Sequence, residues 1–102
     1  MAITPKKNAR PAHPGAVLAD LLDDMQLSAN ALALSLRVPP SRLSAILKRE
    51  RSITPDTALR LARYFGNTAG FWMNLQVLHD LAVAEQELAG RIEREVIPAS
   101  AA

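Results

Sequence analysis

A chain of 102 residues, 49% hydrophobic and 22% charged, can fold as one domain with a real core but is too short for a deep cleft between two lobes. It contains no cysteine, which excludes disulfide frameworks, thiolate metal sites, iron–sulfur clusters and cysteine nucleophiles together. The net charge of +2 is small but segregated: residues 1–12 carry Lys6, Lys7 and Arg10, residues 37–51 carry five bases against one acid, and residues 67–102 carry five acids against two bases.

Residues 1–12 combine three bases with two prolines and few large apolar groups, and read as a flexible basic arm whose cations suit either DNA phosphates or a protein partner. Order is expected from His13. Val17, Leu18, Leu21, Leu22 and Met25 recur with the spacing of one helical face, which predicts a first helix over 14–25. Ser28 is a good N-cap for a second helix of about eight residues carrying Ala31, Leu32, Ala33 and Leu36. Val38-Pro39-Pro40 ends it, because proline has no amide donor and pushes the residue before it out of the helical region. Pro40 suits the first turn of a third helix, running to about Lys48.

Thr54-Pro55-Asp56 is a further start signal: a hydroxyl cap, a first-turn proline and an acid near the positive end of the helix dipole. The fourth helix presents Ala58, Leu61, Ala62 and Phe65 on one face and stops at Gly66. After Asn67-Thr68 a longer fifth helix carries Phe71, Leu75, Leu78 and Ala82, with Trp72, Leu81 and Leu88 alongside. Gly90 weakens it, and residues 96–102 are expected to fray. No stretch alternates with period two, so the fold class is all-α, a single domain over 13–95 between the arm and the tail.

The twenty residues from Ala29 to Lys48 read as a helix, a tight turn and a second helix. Two helices crossing so closely need a small residue at the crossing and apolar contacts around it. Ala33 supplies the first; Leu32, Leu36, Val38, Leu43 and Ile46 supply the second. Arg37 stands where this turn usually has glycine, a substitution costing on the order of 1–2 kcal/mol in the left-handed region. With Leu43, Ile46 and Leu47 inward, the third helix turns Ser41, Arg42, Ala45, Lys48 and Arg49 outward, a face suited to a DNA major groove. Arg42 and Ser41 suit base edges or phosphate, Ala45 a thymine methyl. Pro40 permits close approach, and Lys48, Arg49 and Arg51 suit phosphates. Ser28, Ala29 and Asn30 open the second helix, whose free amides can receive a phosphate.

His13-Pro14-Gly15, Val38-Pro39-Pro40-Ser41-Arg42, Ile53-Thr54-Pro55-Asp56-Thr57-Ala58 and Phe71-Trp72-Met73-Asn74-Leu75-Gln76 together make residues 13–85 resemble the HigA-type antitoxins. These are a branch of the Cro-repressor-like (XRE) helix-turn-helix family. The resemblance implies a five-helix, lambda-repressor-like DNA-binding domain with the fifth helix extended toward the C-terminus. It also implies a homodimer that binds operator DNA of its own operon and neutralises a cognate toxin, a small basic RelE-like ribonuclease. Ala16 and Lys48-Arg49-Glu50-Arg51 depart from the family pattern, the latter replacing a glycine-containing turn.

Other residues carry weaker signals. Phe71, Trp72, Leu75 and Leu78 fit either core or a dimer interface. Asp20, Asp23 and Asp24 share one face of the first helix and fit either solvent or a basic toxin. His13 and His79 are too few for a metal site without thiols, and His13 is read as ordering the start of the first helix. No catalytic Ser/His/Asp set, carboxylate pair or phosphate-cradling glycine loop is present, so neither enzymatic activity nor a cofactor is expected. A repressor without a toxin, and an interaction module that has lost DNA binding, remain alternatives. No apolar run approaches the roughly 18–20 residues of a membrane span, and the first residues lack a signal-peptide core, so the cytoplasm is the expected compartment.

Overall fold

A computed structural model describes residues 12–101, so the arm reading, apart from Ala12, falls outside the described residues. Five helices follow one another: α1 (Pro14–Met25), α2 (Ala29–Leu36), α3 (Pro40–Leu47), α4 (Pro55–Phe65) and α5 (Ala69–Glu95), with a 3-10 turn at Ala99–Ala101. No strand occurs among the described residues. The fold class is therefore all-α, as the patterning predicts.

Local chemistry sets the helix starts. Ser28 Oγ accepts from the Ala31 amide at 3.1 Å, Thr54 Oγ1 from the Thr57 amide at 3.5 Å, and Thr68 Oγ1 from the Phe71 amide at 3.1 Å. His13 caps α1 through its ring: Nδ1 accepts from the Gly15 amide at 2.9 Å. α3 differs from the rest, because Pro39 at its N-cap offers no side-chain acceptor.

The helix ends are also built from sequence. α1, α2 and α3 each close on a left-handed residue that is not glycine: Gln26 (φ 51°), Arg37 (φ 60°) and Arg49 (φ 63°). After α2 the Val38 amide donates to the Ala33 carbonyl, and after α3 the Glu50 amide donates to the Ala45 carbonyl, the six-to-one bond of a Schellman cap. Arg49 thus takes the left-handed position of this cap, a conformation that glycine adopts more readily.

The core draws on every helix: Leu18 and Leu22, Leu32, Ala33 and Leu36, Leu43 and Ile46, Ala58, Leu61 and Ala62, and Trp72, with Val38 and Ile53 from the connections. Trp72 is wholly buried beside Phe65, and its indole N–H donates to Asn67 Oδ1 at 2.9 Å. α3 sits against α1 and α2, while α5 packs chiefly on α4. The helix does not break at Gly90: it continues to Glu95, with Arg91 and Glu95 paired at 2.8 Å across its last turn. Every residue from Glu85 to Glu95 is exposed, so this part of α5 projects beyond the domain and contributes to a long axis of 56 Å.

Candidate nucleic-acid interface

The crossing of α2 and α3 has the predicted register. Ala33 is fully buried where the helices meet, and Leu32, Leu36, Val38, Leu43 and Ile46 are all buried around it. Burial of such side chains stabilises by roughly 1.5–3 kcal/mol each, which outweighs the left-handed cost at Arg37.

A second constraint fixes α3 from the α1 side. A Cβ on Gly15 would strike the carbonyl oxygen of Ile46, so the first turn of α1 meets the last turn of α3 backbone to backbone. Only glycine permits that approach. Behind it His13 packs edge-on to His79 at 5.0 Å between ring centroids. Burial first, and then the neighbouring charge of His79, hold His13 below the ordinary imidazole range, which keeps Nδ1 free to cap.

The loop after α3 is tied down from α5. Gln76, buried one turn beyond Trp72, accepts from the Ile53 amide through Oε1 at 2.8 Å and donates through Nε2 to Asp80 at 3.0 Å.

On this frame the predicted contact residues lie as follows. Pro40, Ser41, Lys48, Arg49 and Arg51 are exposed on α3 and its following loop, as are Ser28 and Asn30 at the start of α2. Ala45 is half-buried, and Ala29 packs partly against the core. Arg37, read from sequence only as a turn residue, is exposed at the α2–α3 turn and adds a cation beside α3.

Arg42 is not a free side chain. Its Nη1 donates to Asp56 Oδ2 at 2.7 Å, and Arg60 Nε donates to the same oxygen at 3.0 Å. Arg60 in turn donates from Nη1 to the Leu36 carbonyl at 2.9 Å, at the last residue of α2. Hydrogen bonds from Arg60 and then Arg42 hold the Asp56 carboxyl below its usual range. Asp56 was legible as a helix-start acid, and the Asp56–Arg60 spacing of i,i+4 is a readable pair signal. The contact to Arg42, fourteen positions away, has no local signature.

One assignment needs correction. Trp72 is completely buried in its own domain and closed off by the Asn67 bond, so it presents no surface to a second chain. Phe71 and Leu78 are exposed and Leu75 is half-buried; Leu81, Leu88 and Ile92 continue an exposed apolar stripe along α5. Asp20, Asp23 and Asp24 are all exposed on α1. No group of three His, Cys, Asp or Glu positioned to hold a metal occurs among the described residues, and none of the described helices is long and apolar enough to cross a membrane.

Comparison with known proteins agrees with this geometry. A family model described as helix-turn-helix matches residues 18–72. Virulence-associated protein I of Dichelobacter nodosus is 52% identical over 89 residues, covering 85% of this chain and 82% of that protein. The solved structure of an addiction module antidote protein of the HigA family from Coxiella burnetii superposes with a TM-score of 0.85 at 49% identity, over 88% of this chain and 99% of that one. The Pseudomonas aeruginosa antitoxin HigA, solved with the higBA promoter, has a TM-score of 0.85 at 42% identity, with the same coverage of 88% and 99%.

Proposed function

Because the chain belongs to the helix-turn-helix family, among the DNA-binding antitoxins of HigA type, we propose that it acts as a dimer that represses its own operon and neutralises a RelE-like ribonuclease toxin. The observation that carries the DNA half of this reading is α3 itself. It starts with an exposed Ser41 and a partly exposed Arg42, followed by exposed Lys48, Arg49 and Arg51, on a unit whose inner face is fully packed. Ser41, Arg42 and Ala45 read base edges with Pro40 allowing close approach, and Lys48, Arg49 and Arg51 neutralise phosphates. At the start of α2, the amides of Ala29 and Asn30 have no intrahelical partner and, with Ser28, receive a phosphate.

The exposed stripe through Phe71, Leu78, Leu81, Leu88 and Ile92 supports dimerisation along α5, with Leu75 at its edge. Two recognition helices then meet half-sites about 34 Å apart. The acidic face of Asp20, Asp23 and Asp24 is the surface whose charge complements a basic ribonuclease.

The test is a titration of the native promoter and a scrambled duplex at fixed salt. Arg42→Ala should cost about 1–3 kcal/mol of preference for the promoter. Unchanged affinity and unchanged base preference would sink the assignment. Copurification with the product of the adjacent gene tests the toxin half, and a chain that binds its promoter but captures no such product is instead a repressor acting alone.

A further inference from the structure

We infer that Asp56 is a positioning residue for DNA recognition: it holds the Arg42 guanidinium in one orientation at the start of α3 and so determines base preference without touching DNA. The inference rests on the DNA-binding reading above and adds to it a residue on a different helix.

The argument begins with what a lone arginine would do at this position. Arg42 sits in the first turn of a short helix whose N-cap offers no side-chain acceptor, and only a quarter of its side chain is exposed. An arginine free to sample its rotamers loses that freedom when it docks on a base, and the loss weakens the docked state. Here one orientation is already selected. The Nη1 group is held at 2.7 Å by Asp56 Oδ2. A guanidinium offers its donors as a planar fork, so holding one nitrogen narrows the directions in which the others point.

The anchor is itself anchored. Asp56 follows Pro55 in the first turn of α4, where backbone and dipole both favour an acid. Arg60, one turn along, binds the same oxygen and is pinned by the Leu36 carbonyl at the end of α2. The chain of contacts from Leu36 through Arg60 and Asp56 to Arg42 therefore links the two crossing helices, α2 and α3, through α4. Charge argues the same way. A carboxylate beside a phosphate-binding surface weakens binding to any DNA, so its presence opposes non-specific affinity. Two arginines share the one acid, which leaves a net positive cluster able to approach the duplex.

A purely structural role predicts little. An exposed ion pair contributes almost nothing to stability, so loss of Asp56 should leave the fold intact.

The experiment is a double-mutant cycle on the full chain with Arg42→Ala, Asp56→Ala and both together. Each protein is titrated with the native promoter fragment and with a fragment scrambled in sequence, at fixed salt, and its thermal midpoint is recorded. Asp56→Ala should keep its midpoint within about 5 °C of the parent. It should bind scrambled DNA at least as tightly as the parent does and lower the promoter-to-scrambled ratio by roughly five- to tenfold. In the Arg42→Ala background, Asp56→Ala should no longer change the ratio. Asp56→Glu should recover part of the preference. If the ratio is unchanged in Asp56→Ala, or falls equally with and without Arg42, the positioning role is overturned while DNA recognition stands. A parent protein with no preference for its promoter overturns the DNA-binding reading, and this inference with it.

Discussion

Replacing Gln76 with methionine removes the hydrogen bond that fixes the loop after α3, together with a more exposed one to Asp80. Methionine keeps nearly the length and volume of glutamine and removes its polar atoms. Gln76 and Ile53 are both buried, and the Ile53 amide has Gln76 Oε1 as its acceptor at 2.8 Å. Without that acceptor a buried amide is left unpaired, at a cost of about 1–3 kcal/mol. The bond from Nε2 to Asp80 lies nearer solvent and adds little. A loss of about 2 kcal/mol lowers the midpoint of a domain this size by roughly 8–16 °C, readable by far-ultraviolet circular dichroism. A midpoint within about 3 °C of the parent would refute the reasoning, since the loop would then have found another partner for the Ile53 amide. Gln76→Glu sharpens the test. It keeps the acceptor but sets a carboxylate against Asp80, raising the folded-state pKa of the introduced group. The penalty is therefore present at neutral pH and is relieved as pH falls and that group protonates.

Other perturbations follow from the same geometry. Gly15→Ala drives a Cβ into the Ile46 carbonyl oxygen, and because the obstacle is backbone the stability loss in urea denaturation should be about 1–3 kcal/mol, with promoter binding weakened as α3 shifts. Arg37→Gly and Arg49→Gly each relieve a left-handed side chain; after the extra chain entropy of glycine, each should stabilise by a net of about 0.5–1 kcal/mol. Where the lost arginine contacts phosphate, the salt dependence of promoter binding should also fall by about one unit of slope. Burial and His79 lower the folded-state pKa of His13 below its reference value of 6.5, so the stability that its neutral ring contributes is complete above 6.5 and is lost as pH falls from there toward the folded value. His13→Asn keeps an N-cap and should flatten this acid limb of the stability–pH curve; an unchanged slope would assign the limb to other groups.

The ends of the helices were legible because they rest on local chemistry. Pro14, Pro40 and Pro55 each begin a helix, Ser28, Thr54 and Thr68 each cap one, and none of these roles depends on distant residues. α5 was harder for a physical reason. Its buried face includes Gln76 and His79 beside Trp72, whereas its exposed face carries Phe71, Leu78, Leu81 and Leu88. Hydrophobicity alone therefore points away from the core, and Trp72 could not be separated from the stripe next to it. Both inner-face polar residues have a contact far along the chain: Gln76 accepts from the Ile53 amide, and the His79 ring packs on the His13 ring. The tether on Arg42 was hidden for the same reason, since its partner lies across the loop on α4.

α3 is held in place mostly by its neighbours. It has eight residues, an N-cap without a side-chain acceptor, and left-handed arginines in the turns on both sides, so its local stability is low. Helices this short are marginal in water on their own. What fixes it arrives from outside: Leu43 and Ile46 in the core, the Gly15 backbone against Ile46, Gln76 holding the loop that follows, and Asp56 on Arg42. The backbone supports act from the buried side. An acidic cap at position 39 would strengthen the helix by about 1 kcal/mol, but it would place a negative charge among the first amides of α3. Glycine in place of Arg37 or Arg49 would relieve strain and remove a cation. At each of these positions the chain has the less stabilising residue, and in each case the difference leaves the exposed surface more positive or less negative. That pattern fits the phosphate-facing role proposed for this surface, and stability alone does not account for it.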